Sequence, residues 1–497
     1  VEVVGSNKNE QIEIEHQPDG ELKIQVFKLT KEGDKGKKLY QRTFLPDETS
    51  EVRIYGLGGE DLFVVKGEGS KIKVRIIGGE GLDKVDATAK GGTTMVYDTK
   101  EGALVEGENY KDRRSDEAKV NEYNRKSFVY NRYAPLLYGN YNIDDGIFVG
   151  GGFLITTNGF RKTPNKSKHL FLGSVALNTA SFNFKYDGRF NQVIGKWNVE
   201  IDADVKSPNF VNNFFGWGNE TVFDKEIDQQ PGIEVEHPID YYRVRFREYA
   251  MQVKLAITFG AAGFFKVGPA FQHIAIEETT KDRYINTYAA VSGEPILDVG
   301  KNFTGLTYSW GFDKRNHQIL TTRGVYFQQT SRWMEGLKSA SNFAAHTASL
   351  SFYQTFRFPA RITFAFRAGA GLNNGSYEFY QAQILDGKTD IRGFRKTRFY
   401  GDAKLFFNNE VRIKLASFRS YLFPASFGIT GFYDVGRVWY KDVNGVDSSS
   451  PTGTSEVWHK GFGGGLWFTP YNLTVLSMDV AHSVESTLFY IRLGFLF

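Results

Sequence analysis

The sequence predicts an all-β chain: a transmembrane antiparallel β-barrel of about sixteen strands, preceded by a small β-rich domain. Three observations carry this reading. Segments of strict period-two alternation recur from about residue 134 to the C-terminus, each with a wide apolar face opposed by a polar or charged one. Their number, about sixteen, is even, as in bacterial barrels whose two ends lie on one side of the membrane. The connections alternate between tight ones, such as "NTA" (178–180) and "TPYN" (469–472), and long polar ones near 207–240, 277–299, 372–400 and 437–459. No run of about 18 apolar residues offers a transmembrane helix. The mean hydropathy of −0.37 does not oppose a barrel, because only every second residue of a spanning strand faces lipid.

Residues 1–110 are strand-like and polar, with hairpin cues at "QPDGE" and "KEGDKGKK". Two related segments follow, "RIYGLGGEDLFVV" (53–65) and "VRIIGGEGLDKVD" (74–86). The second fits the calcium nonapeptide G-G-x-G-x-D-x-U-x at Gly78, Gly79, Gly81, Asp83 and Val85; the first fits with Leu57 in place of one glycine and Asp61 as the acid. Copies this far apart are expected to make only half-sites. Asp61 and Asp83 are therefore either calcium ligands or turn-capping residues of a small β-domain whose glycines supply positive φ. Residues 111–127 are charged throughout and read as a linker or short helix leading into the barrel, 128–497.

Within the barrel, "WNVEIDADVK" places Trp197, Val199 and Ile201 on one face and Glu200, Asp202 and Asp204 on the other. "YRVRFR" alternates Tyr242, Val244 and Phe246 with Arg243, Arg245 and Arg247, and "FNFKYD" repeats the pattern. In "GDAKLFFNNEVRIKL" (401–415), Leu405 and Phe407 share the apolar parity, which Asn409 interrupts; Asn408, Glu410 and Arg412 share the charged one, which Phe406 interrupts. The terminal "FYIRLGFLF" puts Phe489 and Phe495 on the lipid parity. The first strand, "APLLYGNYNI" (134–143), carries Pro135 and Gly139, which weaken ladder pairing.

The 497-residue chain is 41% hydrophobic and 15% aromatic and contains no cysteine, which excludes disulfide scaffolds, zinc-thiolate sites and cysteine catalysis. A formal net charge of +4 gives no support to a nucleic-acid surface. Phosphate-loop, serine-elbow and zinc-protease motifs are absent, so no enzyme is read in this chain. "DVNGVD" (442–447) reads as a solvated loop, and the paired carboxylates Asp202 and Asp204 as part of a wet lumen row.

Several motifs, in order, resemble the BamA/TamA superfamily of outer-membrane assembly and secretion barrels over residues 128–497. "NNFFGWGNET" (212–221) is similar to its aromatic-glycine segment, and "GFDKRNHQILTTRG" (311–324) to its hairpin, here carrying Asp313, Arg315, Arg323 and Gly324. "IRGF" (Ile391, Arg392, Gly393, Phe394) resembles its sixth-loop signature, "GFYDVGRVW" (431–439) the strand with its acidic partner, and Phe497 the C-terminal signal. The resemblance implies that the sixth loop folds into the lumen and that Arg392 engages Asp434, with Glu410 as a second partner. Such an arginine in a wet lumen is expected to add little stability. It also implies outer-membrane lipid, outer-membrane or secreted protein substrates, and periplasmic or lipoprotein accessory subunits, in a Gram-negative outer membrane with the N-terminal domain in the periplasm. The alternative is a passive porin, or an anchor for a periplasmic enzyme. Residues 1–110 lack the helices of the family's transport domains. Their glycine-aspartate repeats ahead of a barrel look more like the C-terminal part of fusions in which a phosphoesterase precedes the barrel.

Overall fold

Two units, Val1–Val129 and Tyr130–Phe497, divide the chain. A computed structural model describes residues 1–497 except 31, 90–91, 143–145, 293–296, 298, 339–340, 358–359, 420, 422, 441–456 and 472.

The first unit is a β-roll. One sheet stacks Glu2–Val4, Glu51–Gly58, Lys73–Glu80, Thr94–Tyr97 and Lys111–Asp112 in parallel; the other stacks Glu10–His16, Leu62–Gly67, Asp83–Asp86 and Ala103–Glu106 in parallel. The chain steps from sheet to sheet, so each pair of strands forms one coil. Alternate residues point between the sheets, and Ile12, Ile14, Ile54, Phe63, Val74 and Ile76 fill that core without solvent exposure. Two antiparallel strands, Leu22–Leu29 and Lys35–Phe44, extend the second sheet through the turns that "QPDGE" and "KEGDKGKK" announce.

The repeat spacing has a simple cause here. Segments 53–65 and 74–86 are consecutive coils in register, with Leu57 opposite Gly79 and Phe63 opposite Val85. The copies are therefore direct neighbours, not isolated half-sites. Leu57 takes the same left-handed backbone (φ 78) as Gly79 (φ 118), which explains why the imperfect repeat still turns correctly. Within residues 111–127, Lys111–Asp112 closes one sheet and Ala118–Asn121 forms the short helix.

The second unit is a closed antiparallel barrel of sixteen strands, from Arg132–Asn142 to Thr487–Leu493. Exposed apolar residues such as Ile147, Leu255, Phe352, Leu466 and Phe489 mark its outer surface. The opposite parity carries ion pairs: Glu200 with Lys266 at 2.8 Å, Asp202 with Lys254 at 2.6 Å and Glu248 with Lys206 at 2.7 Å. The two parity breaks on Ala403–Arg419 also resolve. Phe406 points inward and packs with Leu385, Ile391 and Phe399, while Asn409 lies outside and donates to the Tyr433 carbonyl.

The barrel departs from the sequence reading at further points, among them "YRVRFR", whose Val244 and Phe246 are buried with Phe214 and Phe379 rather than facing lipid. Strands Trp197–Asn213 and Arg361–Gly375 run past residues 207 and 372, because their ends continue beneath packed loops rather than stopping in solvent. The connection near 277–299 contains a helix, Tyr284–Ser292. Phe495 does not face lipid. Gly494, at φ 120, turns the chain inward, and Phe495 packs on the Arg412 guanidinium at 3.8 Å. The 442–447 segment lies outside the described residues.

Candidate functional site

The loop between Arg361–Gly375 and Ala403–Arg419 folds back into the barrel. Its local order begins at Asp386, whose carboxylate accepts the N–H groups of Thr389 and Thr397 and so ties the two arms of the loop together. Ile391 and Phe394 are buried with Leu385, Phe399, Phe406 and Val438. That apolar packing presents Arg392 to the barrel wall.

Arg392 is 1% exposed and Asp434 0%. The guanidinium donates from Nε to Asp434 Oδ2 at 2.7 Å and from a terminal nitrogen to Oδ1 at 2.9 Å; the Arg392 backbone N–H adds a third bond, 3.0 Å to Oδ2. The remaining terminal nitrogen reaches Glu410 at 2.7 Å, and the guanidinium carbon lies 3.4 Å from the centre of the Phe432 ring. Glu410 is held from its other side by Arg412, which also donates to the Phe497 carbonyl at 2.8 Å. The site is thus a buried lattice of two arginines and two carboxylates, and the expectation of a wet, weakly held pair is corrected. Two charges out of water need each other far more than exposed ones do.

Two glycines allow the approach. Gly393 turns at φ 97; its N–H donates to the Tyr490 hydroxyl and its carbonyl accepts from Ser483 and Ser486. A Cβ at Gly461, on the wall strand His459–Pro470, would overlap the Arg392 carbonyl. Gly461 escapes a sequence reading, because "GFGGG" marks no single glycine as special.

The segment 212–221 locks onto the same loop. Asn213 and Thr397 bond each other through backbone and hydroxyl, Gly218 N–H donates to the Tyr400 carbonyl, and Asn219 pairs with the backbone of Val438 in both directions. Above them Phe214, Trp217, Phe379 and Tyr400 build an aromatic cluster across the loop end of the barrel. Arg398, fully buried, joins three connections: it donates to Glu485 at 2.6 Å, to the Thr221 carbonyl at 2.6 Å, and stacks on Phe215 at 4.4 Å.

The hairpin residues sit at the opposite end. Arg315 grips Asp313 at 2.9 and 2.7 Å and lies over Tyr326; Gly324, at φ 126, lets the strand leave the turn, and the Arg323 side chain is exposed. These residues shape a turn and do not join the loop site.

The barrel closes at an uneven seam. The first strand pairs with the second along its full length, Arg132–Asn142, but with the last strand only at Tyr141↔Ile491 among the described residues. The inward turn at Gly494 takes the chain end away from the ladder, and Leu137 is left 98% exposed.

A sixteen-stranded barrel with an arginine-anchored loop in its lumen and, among the described residues, a barely paired seam has the architecture of the outer-membrane assembly and secretion barrels. The Omp85 superfamily domain matches residues 209–487, and the chain belongs to that superfamily. Among solved structures it is similar to BamA from Haemophilus ducreyi lacking POTRA domains 1–3, at 13% identity and TM-score 0.53, covering 79% of this chain and 71% of that one. It is also similar to CdiB from Acinetobacter baumannii, at 14% identity and TM-score 0.45, covering 73% and 60%, and to CdiB from Escherichia coli, at 13% and 0.46, covering 78% and 65%. The chain spans less than two thirds of either CdiB. The BamA likeness supports the barrel fold. No curated protein sequence matches the chain.

Proposed function

We propose that this barrel passes protein substrates into or across the outer membrane by opening between its first and last strands, with the 376–402 loop as an anchored plug. The register of the seam, which among the described residues is the one pair Tyr141↔Ile491, carries the proposal. A ladder with so little pairing among its described residues separates at less cost than its fully paired neighbours. A porin gains nothing from such a seam, and the aromatic cluster around Phe214 and Tyr400 occupies the end of the lumen that a porin keeps open.

The N-terminal β-roll is assigned to the periplasm, where accessory periplasmic or lipoprotein subunits would meet it; both assignments rest on the family resemblance. A phosphoesterase ahead of the β-roll rests on the glycine-aspartate repeats followed by such a barrel. Depletion of the protein, followed by quantification of the outer-membrane and secreted proteomes, tests the reading. Loss of a defined set of barrel or exported proteins supports it. Unchanged proteomes with altered small-solute uptake favour the porin.

A further inference from the structure

In three successive coils of the β-roll a glycine precedes an acid by five residues: Gly5 and Glu10, Gly56 and Asp61, Gly78 and Asp83. The coils stack, so these acids form a column. Asp98, in the next coil, stands where Gly78 stands below it, since Ile77 pairs with Tyr97. Asp61, Asp83 and Asp98 are 2%, 1% and 0% exposed.

Half of each carboxylate has a clear task. Asp61 Oδ1 accepts the Glu10 N–H at 2.8 Å, Asp83 Oδ1 accepts the Asp61 N–H at 2.8 Å, and Asp98 Oδ1 accepts the Thr99 N–H at 2.6 Å. The other half has none: Oδ2 of all three is buried without a hydrogen-bond partner. These oxygens face further oxygens. Asp83 Oδ2 and Asp98 Oδ2 converge on the space above the Gly78 Cα, which only a residue without Cβ leaves open; Asp61 Oδ2 and the Gly78 carbonyl converge above Gly56 in the same way. A buried carboxylate oxygen that faces another oxygen is costly unless a proton or a cation lies between the two.

We infer that the column holds a calcium-like divalent cation between coils, bound by Asp83 and Asp98, with Asp61 and the Gly78 carbonyl forming the equivalent step below. The donors are all oxygen, which excludes a zinc-type preference for nitrogen and sulfur. They are buried, which suits calcium better than magnesium, an ion that demands octahedral geometry and keeps its water. No three His, Cys, Asp or Glu side chains meet at one point among the described residues, so the ion takes two carboxylates at a time and completes its shell with carbonyl oxygens and water. The inference adds Asp98, whose coil lacks the glycine motif, to the pair visible in sequence. It also gives Gly56 and Gly78 a reason beyond turn geometry.

The test is calcium binding by the full 497-residue chain in detergent micelles at neutral pH, by equilibrium dialysis with radioactive calcium. The wild type should bind saturably below about 1 mM, the weak end of oxygen-ligand calcium sites. Asp83→Asn and Asp98→Asn, which keep shape and the Oδ1 acceptor, should weaken binding by about tenfold or more. Asp86→Asn, outside the column, should not. Calcium should slow proteolysis of residues 1–129 in the wild type and in Asp86→Asn only. Absence of saturable binding in the wild type overturns the inference even if a variant fails to fold. So does undiminished binding by both column variants, or an asparagine variant that resists proteolysis better than wild type without calcium, which would mark the column as neutral carboxylic acids.

Discussion

Arg392 and Asp434 share three hydrogen bonds across 42 residues of sequence, two from the guanidinium and one from the Arg392 backbone N–H. The loop backbone itself, and not only a side-chain tip, is thereby fixed to the wall. Because both partners are buried, removing one leaves an uncompensated charge, which costs about 3–5 kcal/mol. Arg392→Ala and Asp434→Asn should each lower the urea midpoint of the barrel in micelles and expose residues 376–402 to protease. Arg392→Lys should recover only part of the loss, since an ammonium cannot grip both carboxylate oxygens and Glu410 in one plane. An unchanged digestion pattern would show that the loop is held by its apolar packing alone.

Gly461→Ala should displace the same loop without touching a charge, because its Cβ overlaps the Arg392 carbonyl. Gly431→Ala is the matched control: it lies in a neighbouring wall strand, and nothing stands within 4 Å of an added Cβ. Protease nicking of 376–402 should rise in the first and stay at the wild-type rate in the second. Equal behaviour of the two variants would contradict the close approach of the loop to the wall.

These residues also show what a sequence yields and what it hides. Alternation alone orients Ile201, Glu200 and Leu405, because strand geometry converts parity directly into a face. The Arg392–Asp434 pair is legible only through the order of motifs, since nothing local links residues 42 positions apart. Phe406, Asn409 and Phe495 break or mislead the parity for tertiary reasons: a plug to pack against, an outer carbonyl to reach, and an inward turn at Gly494. Gly461, Arg398 and Asp98 carry no signal of their own, because each matters through a neighbour supplied by a distant segment.

The lipid-facing assignment predicts that Ile201→Lys costs on the order of 2–4 kcal/mol if it sits near midplane. Glu200→Gln, one residue away but facing the lumen beside Lys266, should cost no more than about 1 kcal/mol. Heat-modifiable gel mobility after folding into vesicles distinguishes them. Comparable folding yields would overturn the orientation.

Arg398 should act as a shared fastener for three connections. Arg398→Ala leaves the part-buried Glu485 carboxylate and Thr221 carbonyl without their donor, at a cost on the order of 1 kcal/mol for each. Cleavage should then increase in both 213–243 and 376–402. Glu485→Gln keeps a hydrogen-bond acceptor and should give the milder effect. Cleavage confined to one connection would mean that the three are held independently.

The most direct measurement is a reversible lock on the seam. The sequence has no cysteine, so Tyr141→Cys with Ile491→Cys, which face each other in register across the seam, introduces the only thiols. In cells depleted of the wild-type protein, the oxidised variant should fail to restore growth and the outer-membrane proteome, while the reduced variant and each single cysteine variant restore both. Full function with the disulfide quantitatively formed would contradict opening at this seam and leave the barrel as an anchor.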